Sequence, residues 1–455
     1  MPTTKTSTKP LRILNSTDAN FEELWLDLSR RASPRDSVTQ TKSVLRKIES
    51  VRKNGDEALY GPLGKICERV PDKLELSPQE WDSGCEAVDS SDRAALGKAA
   101  MRIREFHRKR IPASWEVREE GGAFMGQRVR PLSSVGIFSS SDAPLDPSDV
   151  IMYATPASAV EVPEISLAAA PDSSGMIRPE ILMAARLAGV HRIFKMTGAE
   201  SVAAFALGTM EVPRVEKLVG PSGSEIEMAK SALLGEAGIF TNPLPRELCI
   251  VADKTSTPAW LATDLLAHAQ TGEMAHGLLI THCKTLPARV QSQLASQLEG
   301  LSGARKLTQR LAAQCAVVVT GSLAESLQWV DRYAPEHLAA CVAKPDEVVR
   351  TVQNAGTILM GHYTPSAVGD VLAGPGAVLP SGGSSRFDSP LCVEDFLKKT
   401  HFVQFEASKL RELGHDAIRL AELDGFTARG ASVELRLKRI RRARREREVA
   451  REAEL

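Results

Sequence analysis

Apolar positions recur along this chain at two different spacings, and the change from one to the other falls near Val135. Residues 1 to about 10 are polar and read as a frayed tail. From Asp18 to Arg31, Phe21, Leu24, Trp25 and Leu28 fall on one face at helical spacing. Ser37 is a candidate N-cap for a second helix, with apolar positions Val38, Val44, Leu45, Ile48 and Val51 and a stop at Asn54-Gly55. A mostly helical pattern continues through Ala94 to Arg108. Beyond it, Val135-Gly136-Ile137-Phe138, Val162 to Ala170, Gly189 to Met196 and Val215 to Val219 read as short strands. Pro179 to Ala188 and Gly198 to Thr209 read as helices between them. Leu248 to Asp253, Gly277 to Thr281, Ala316 to Thr320 and Asn354 to Gly361 extend the strand series, with a helix opening at Pro258. Strands alternating with helices predict parallel sheets covered by helices on both faces. Val393 to Leu423 reads as mainly helical. Arg436 to Arg447 is strongly basic, and its Leu437 and Ile440 at helical spacing predict a solvated helix rather than a nucleic-acid arm.

Composition narrows the class. The chain has 455 residues, 43% hydrophobic and 25% charged, enough for two or more domains of an ordinary soluble protein. Lys plus Arg and Asp plus Glu are each 57, so no net charge draws the chain to nucleic acid or membrane. Seven cysteines show no CxxC spacing, which predicts reduced thiols in a cytoplasmic protein. The polar N-terminus predicts no secretory signal, and no apolar run reaches the roughly 18 residues needed to span a bilayer. His107, His191, His282, His362, His401 and His415 are scattered singly and read as surface or satisfied core residues, and His276 as a loop residue.

Candidate chemistry gathers at Asp331-Arg332-Tyr333-Ala334-Pro335-Glu336-His337-Leu338. Pro335 suits the first turn of a new helix, which would place Glu336 and His337 near a helix start. Adjacent Glu and His can divide acid and base duties, because their unperturbed pKa values straddle about pH 5 to 6. Taken alone, the segment reads first as an ordinary surface helix start with two polar residues.

It does not stand alone. Tyr333-Ala334-Pro335-Glu336-His337-Leu338 resembles the signature around the catalytic Glu-His pair of the histidinol dehydrogenase family. Gly55-Asp56-Glu57-Ala58-Leu59, Ser114-Trp115, Gly126 to Pro131, Asn354-Ala355-Gly356 and Val368-Gly369-Asp370 resemble further family landmarks, in the family's order. The resemblance implies an α/β protein of two incomplete Rossmann-like α/β domains with small helical N- and C-terminal extensions, assembled as an intertwined homodimer. The expected division is 1–30 as the N-terminal extension, 31–137 with 248–390 as the first α/β domain and 138–247 as the second. Residues 391–441 would form the C-terminal extension and 442–455 a charged tail. The implied activity is NAD-dependent oxidation of an amino alcohol, L-histidinol, to the acid in two steps, with one zinc holding this small-molecule substrate.

Carried over position by position, the resemblance makes Glu336 and His337 the catalytic pair. Of the zinc-ligand positions, Asp370 is kept; His268 stands where Gln is usual, Thr271 where His is usual, and Arg429 where the last His is usual. Arginine stays protonated and cannot ligate zinc, so Asp370 and His268 are the remaining metal donors. The cofactor positions are Phe138, Glu200 and Gly223, and the usual glycine turn is replaced by Ser139-Ser140-Ser141-Asp142. A Glu200 carboxylate beside a pyrophosphate would repel it. Arg246, beside a retained Glu247, His268, Asp370, Asp424 and Arg429 are the implied substrate-binding set, and Ala377 replaces a family histidine. Two expectations follow: an oxidoreductase of the family with altered metal and cofactor positions, or a divergent paralogue that takes another, anionic ligand or only binds. In the second, Arg429 would pair with Asp370 in the volume the metal leaves.

Overall fold

The computed structural model describes residues 11–31, 38–139, 145–221, 223–240 and 245–453. The proposed cap Ser37, the turn residues Ser140, Ser141 and Asp142, and Ser222 lie outside the described residues. The chain forms two compact units, Met1–Ile111 with Pro131–Phe396, and Pro112–Arg130 with Leu397–Leu455. Among the described residues no helix is long and apolar enough to cross a membrane.

The larger unit holds two parallel sheets. The first has six strands in the order Arg12–Asn15, Cys315–Val319, Ala275–Thr281, Arg246–Ala252, His337–Cys341, Thr357–Met360. Its central strand Arg246–Ala252 is buried from Glu247 to Ala252, as expected of a parallel strand covered on both faces. The second has five strands in the order Arg192–Lys195, Glu164–Ala169, Ser134–Ile137, Lys217–Val219, Gly238–Ile239. Read in chain order, these run outward to one side from Ser134–Ile137 and then resume on its other side at Lys217–Val219. That reversal is the topological switch at which doubly wound sheets bind ligands.

The smaller unit holds a three-stranded sheet, Leu397–Phe405, Ala123–Pro131 and Trp115–Glu119 in that order, and the helices Ala407–Leu423 and Thr427–Ala453. The last helix carries the basic segment on a surface face, with Arg442–Glu446 and Arg444–Glu448 ion pairs one turn apart.

One strand was not anticipated, and two local expectations are corrected. Arg12–Asn15, ahead of the first helix, pairs in parallel with Cys315–Val319 and forms a sheet edge. Leu397–Phe405 is a strand where helix was expected; Phe402 packs on Phe124 of the neighbouring strand at 5.3 Å, and its Thr, Phe and Val residues suit a pleated surface. Pro335 does not open a helix. The Leu323–Tyr333 helix ends at Ala334, whose φ of 50° lies in the left-handed region and turns the chain away, and His337 begins a strand.

The first helix, Phe21–Ser29, docks through aromatic rings. Trp25 sits 4.6 Å from Trp329 and 6.1 Å from Tyr333, both on the helix that leads into Glu336. Replacing Trp25, only 2% exposed, by Ala removes the ring around which this contact is built. We expect Trp25→Ala to cost about 3–5 kcal/mol, read as a lower urea midpoint. An unchanged midpoint would show that this packing does not stabilise the segment before the site.

Candidate functional site

The strands Arg246–Ala252 and His337–Cys341 are neighbours, with Leu248 opposite His337. Glu247 and Glu336 therefore lie side by side where the two strands begin. Each carboxylate takes the other residue's backbone N–H: Glu247 N donates to Glu336 Oε2 at 2.8 Å, and Glu336 N donates to Glu247 Oε2 at 3.2 Å. Gly382 N adds a third bond to Glu247, at 3.1 Å. Arg31 pairs with Glu247 at 2.8 Å and lies over the Tyr333 ring. Gly356 allows this approach, since a Cβ there would meet the Glu336 carbonyl oxygen at 2.6 Å.

Glu247 is fully buried and Glu336 nearly so, at 6% exposure. Burial pushes the Glu247 carboxyl up to about 7, against the pull of Arg31 and with the charge of Glu336 adding to it. Burial likewise raises Glu336, while His337 and Arg246 oppose the shift.

His337 Nε2 lies 3.0 Å from Asp370 Oδ1. Its Nδ1 lies 3.8 Å from Glu336 Oε1 and has no hydrogen-bond partner among the described residues. Burial disfavours the imidazolium, but the Asp370 bond and the nearby Glu336 outweigh it and raise the His337 pKa. Asp370 reaches this position because Gly369 packs against Leu359, whose Cδ2 would lie 2.4 Å from a Cβ at that place.

His268 comes from the last turn of the Pro258–Gln270 helix, with Nε2 3.3 Å from the Arg246 carbonyl oxygen. A carbonyl only accepts, so that nitrogen carries the proton. Burial, with the nearby His337 charge, lowers the His268 pKa to about 4. Arg246 begins its strand and keeps solvent contact. Desolvation works against its charge, yet the fields of Glu336, Asp149, Tyr153 and Asp370 raise its pKa above the ordinary value. Asp149 and Tyr153 belong to the Pro147–Ala159 helix, beside the five-stranded sheet.

The structure thus brings Glu336, His337, Asp370, His268 and Arg246 to one edge of the six-stranded sheet. Three partners had no signal in the sequence. Arg31 is the second of two arginines that follow the first helix, Asp149 looks like a capping residue for Asp146, and Tyr153 looks like core. Ala377 offers no side-chain donor; its N–H points to Met152 Sδ, and its loop is held through Pro375 by His107 Nε2 at 3.1 Å.

A four-donor zinc site does not fit these residues. Asp370 is bonded to His337 and His268 Nε2 to a carbonyl, while Thr271 Oγ1 closes its own helix by donating to the His268 carbonyl at 2.8 Å. No group of three His, Cys, Asp or Glu side chains among the described residues is placed to hold a metal. Asp424 and Arg429 are exposed residues of the smaller unit. The Arg429 guanidinium lies 4.5 Å over the Phe426 ring and makes no ion pair among the described residues.

Phe138, Glu200 and Gly223 stand at the C-terminal edge of the five-stranded sheet, all buried. Glu200 is 3.4 Å from Lys47 Nζ, which also pairs with Glu225. Glu225 Oε1 accepts the N–H of Ala199, in the first turn of the Gly198–Leu207 helix, at 3.3 Å. Two carboxylates at that edge do not fit the pyrophosphate of a dinucleotide as they stand.

Residues 29–437 match the family model described as histidinol dehydrogenase. The chain is 40% identical to a histidinol dehydrogenase of Geobacter sulfurreducens, across 94% of this chain and 100% of that one. It is 33% identical to one of Clostridium acetobutylicum, across 94% and 99%. A crystal structure of histidinol dehydrogenase from Elizabethkingia anophelis superposes with a TM-score of 0.88 at 25% identity, covering 96% of this chain and 100% of that one.

The buried carboxyl predicts a pH dependence. The Glu247 pKa rises from 4.5 to about 7 on folding, so the fold favours the neutral form. Its contribution is fully present below the unfolded value and is lost as pH climbs through the folded one. The raised Glu336 and His337 act in the same direction. The lowered His268 acts in the opposite direction below its unfolded value of 6.5, so we expect the urea midpoint to fall between about pH 6.5 and about pH 8, and Glu247→Gln to flatten that fall. A midpoint that rises over this range would contradict the electrostatic description.

Proposed function

The chain belongs to the histidinol dehydrogenase family, and we propose that it is an oxidoreductase of that type whose proton-transfer pair is retained while its metal and cofactor positions are altered. One observation carries this reading: His337 is hydrogen-bonded to Asp370 on one nitrogen and faces Glu336 with the other, unpartnered one. Bonding to Asp370 fixes the proton on Nε2 and leaves Nδ1 as the acceptor. Nδ1 takes the proton of the substrate hydroxyl as the alcohol carbon is oxidised, and the raised pKa holds that proton afterwards. Glu336, adjacent to it, takes a proton from the water that adds to the carbonyl in the second oxidation, from L-histidinol's aldehyde stage to L-histidine. The hydride leaving the carbon in each oxidation needs an external acceptor, which NAD would supply once the Glu200 and Glu225 carboxylates are displaced; no step is routed through zinc, because the residues at its positions do not fit it as arranged.

A second reading is a divergent paralogue without histidinol turnover, acting on an anionic ligand or as a non-catalytic binding protein. Arg246 favours it, since a guanidinium beside the catalytic pair suits a carboxylate or phosphate better than a cationic amino alcohol. The seven free cysteines agree with a cytoplasmic setting.

A second copy of the chain is the partner we propose for the smaller unit. Val403, Leu420, Leu423 and Leu435 are each more than three-fifths exposed there, at 69%, 62%, 68% and 66%. A second copy covering this unit would take these side chains out of water. Light scattering at micromolar concentration should give a dimer mass, and a monomer would count against the assembly.

Activity separates the two readings. We expect L-histidinol to reduce NAD at high NAD concentration in the wild type. His337→Asn and Glu336→Gln should each lower the rate by about 100-fold or more. Zinc by mass spectrometry should be well below one per chain. No turnover in the wild type, together with binding of a carboxylate or phosphate ligand, would transfer the assignment to the second reading.

A further inference from the structure

The five-stranded sheet reverses its strand order between Ser134–Ile137 and Lys217–Val219, and a crevice outside the C-terminal ends of these strands is where such sheets bind nucleotides. Two helices begin there. Ser224–Ala232 follows Lys217–Val219 directly. Gly198–Leu207 is tied to the end of Ser134–Ile137 by the Gly198 N–H, which donates to the Ser139 carbonyl at 3.1 Å. Free backbone N–H groups and the helix dipole make such positions attractive to anions.

In this chain the anion is internal. Glu225, in the first turn of Ser224–Ala232, reaches across and accepts the Ala199 N–H at 3.3 Å. Glu200 lies in the first turn of the other helix. Both converge on Gly198, where an added Cβ would meet Glu200 Oε2 at 3.1 Å and Glu225 Oε1 at 3.8 Å. Lys47, from the Val38–Asn54 helix, closes over both carboxylates. Ser139 Oγ, at the same edge and 1% exposed, has no hydrogen-bond partner among the described residues. Behind the cluster, Lys230 pairs with Glu227 at 2.8 Å and lies over the Phe138 ring, so this interior charge is matched in place.

We propose that Glu200, Glu225 and Lys47 form an internal plug in the dinucleotide site. The two carboxylates hold the position that a pyrophosphate would take, and Lys47, the cation able to meet a phosphate, is engaged by them. The proposal rests on the reading that this chain is a dinucleotide-linked oxidoreductase, and it adds what limits its cofactor. A nucleotide must displace Glu225 from Ala199 and Lys47 before its phosphates reach the helix start. Wild-type affinity for NAD is therefore weak, and neutralising the carboxylates raises it. Glutamine at 225 keeps an oxygen that can accept the Ala199 N–H, so the change isolates charge from shape.

Isothermal titration with NAD alone, without substrate, tests this. Glu225→Gln, and more so Glu200→Gln with Glu225→Gln, should bind NAD at least about tenfold tighter than the wild type. Adding Lys47→Ala to the double variant should reverse most of the gain. Thermal melts of each variant check the fold, and the single variant at partly exposed Glu225 serves if the double does not fold. Affinity unchanged within about twofold in folded variants, or wild-type binding as tight as the double variant's, would overturn the plug. Failure of histidinol turnover leaves this result untouched, and unchanged NAD affinity leaves the Glu336 and His337 assays untouched.

Discussion

Two carboxylates placed side by side at the buried ends of neighbouring strands are the constraint on which the larger unit depends. Removing a charged carboxylate from water is costly unless hydrogen bonds and opposite charge replace the solvent. Here each carboxylate bonds the other's backbone N–H, which satisfies two strand-start donors and fixes the relative height of the strands. Compensating charge for Glu247 comes from Arg31, and that for Glu336 from His337 and Arg246. Arg31 follows the first helix, which is fastened by Trp25 to the helix leading into Glu336. The N-terminal segment is thus part of the site's electrostatics, though it contributes no reacting group.

Much of the architecture was legible because strands of a covered parallel sheet must be apolar on both faces. Leu248 to Ala252 and Ala316 to Val318 are such runs, and they became interior strands. Helix Pro179–Ala188 was legible to the residue, from its proline at the start to the glycine after its end. Where partners lay far away, the pattern failed. Arg12–Asn15 has four residues and gains its identity only from the strand beside it, some three hundred positions on. Leu397–Phe405 mixes apolar and charged residues without clean alternation, because most of its positions are exposed. At Glu336, proline chemistry suggested a helix start, but the left-handed turn at Ala334 and the gap between two existing strands decided otherwise.

The site divides along the same line. Glu336, His337, Asp370, His268 and Arg246 were legible through resemblance to a family, and the fold gathers them. Local sequence did not mark their charge partners. Lys47 meets Glu225 across 178 positions and Glu336 meets Glu247 across 89, so neither pairing leaves a local trace. Substituted positions were visible as departures, but their consequence was not. Thr271 as a missing ligand is a loss in sequence, while in the structure its hydroxyl closes a helix.

Both sheets favour negative charge at the edge where they are used, for different reasons. At the six-stranded sheet the strand-start N–H groups of Glu247 and Glu336 need acceptors. At the five-stranded sheet the helix starts supply N–H groups that need acceptors outside the helix, and a dipole. In each place the chain provides its own carboxylates and then its own cations, which is consistent with equal totals of acidic and basic residues. A ligand therefore competes with internal partners rather than entering an uncompensated field. The partner it can displace is the more solvated one: Asp370, 30% exposed, rather than Glu336 at one edge, and Glu225, 22% exposed, rather than Glu200 at the other. Under the proposed function, specificity depends on which internal ion pair a substrate or nucleotide can open, and the more exposed carboxylate at each edge sets that threshold.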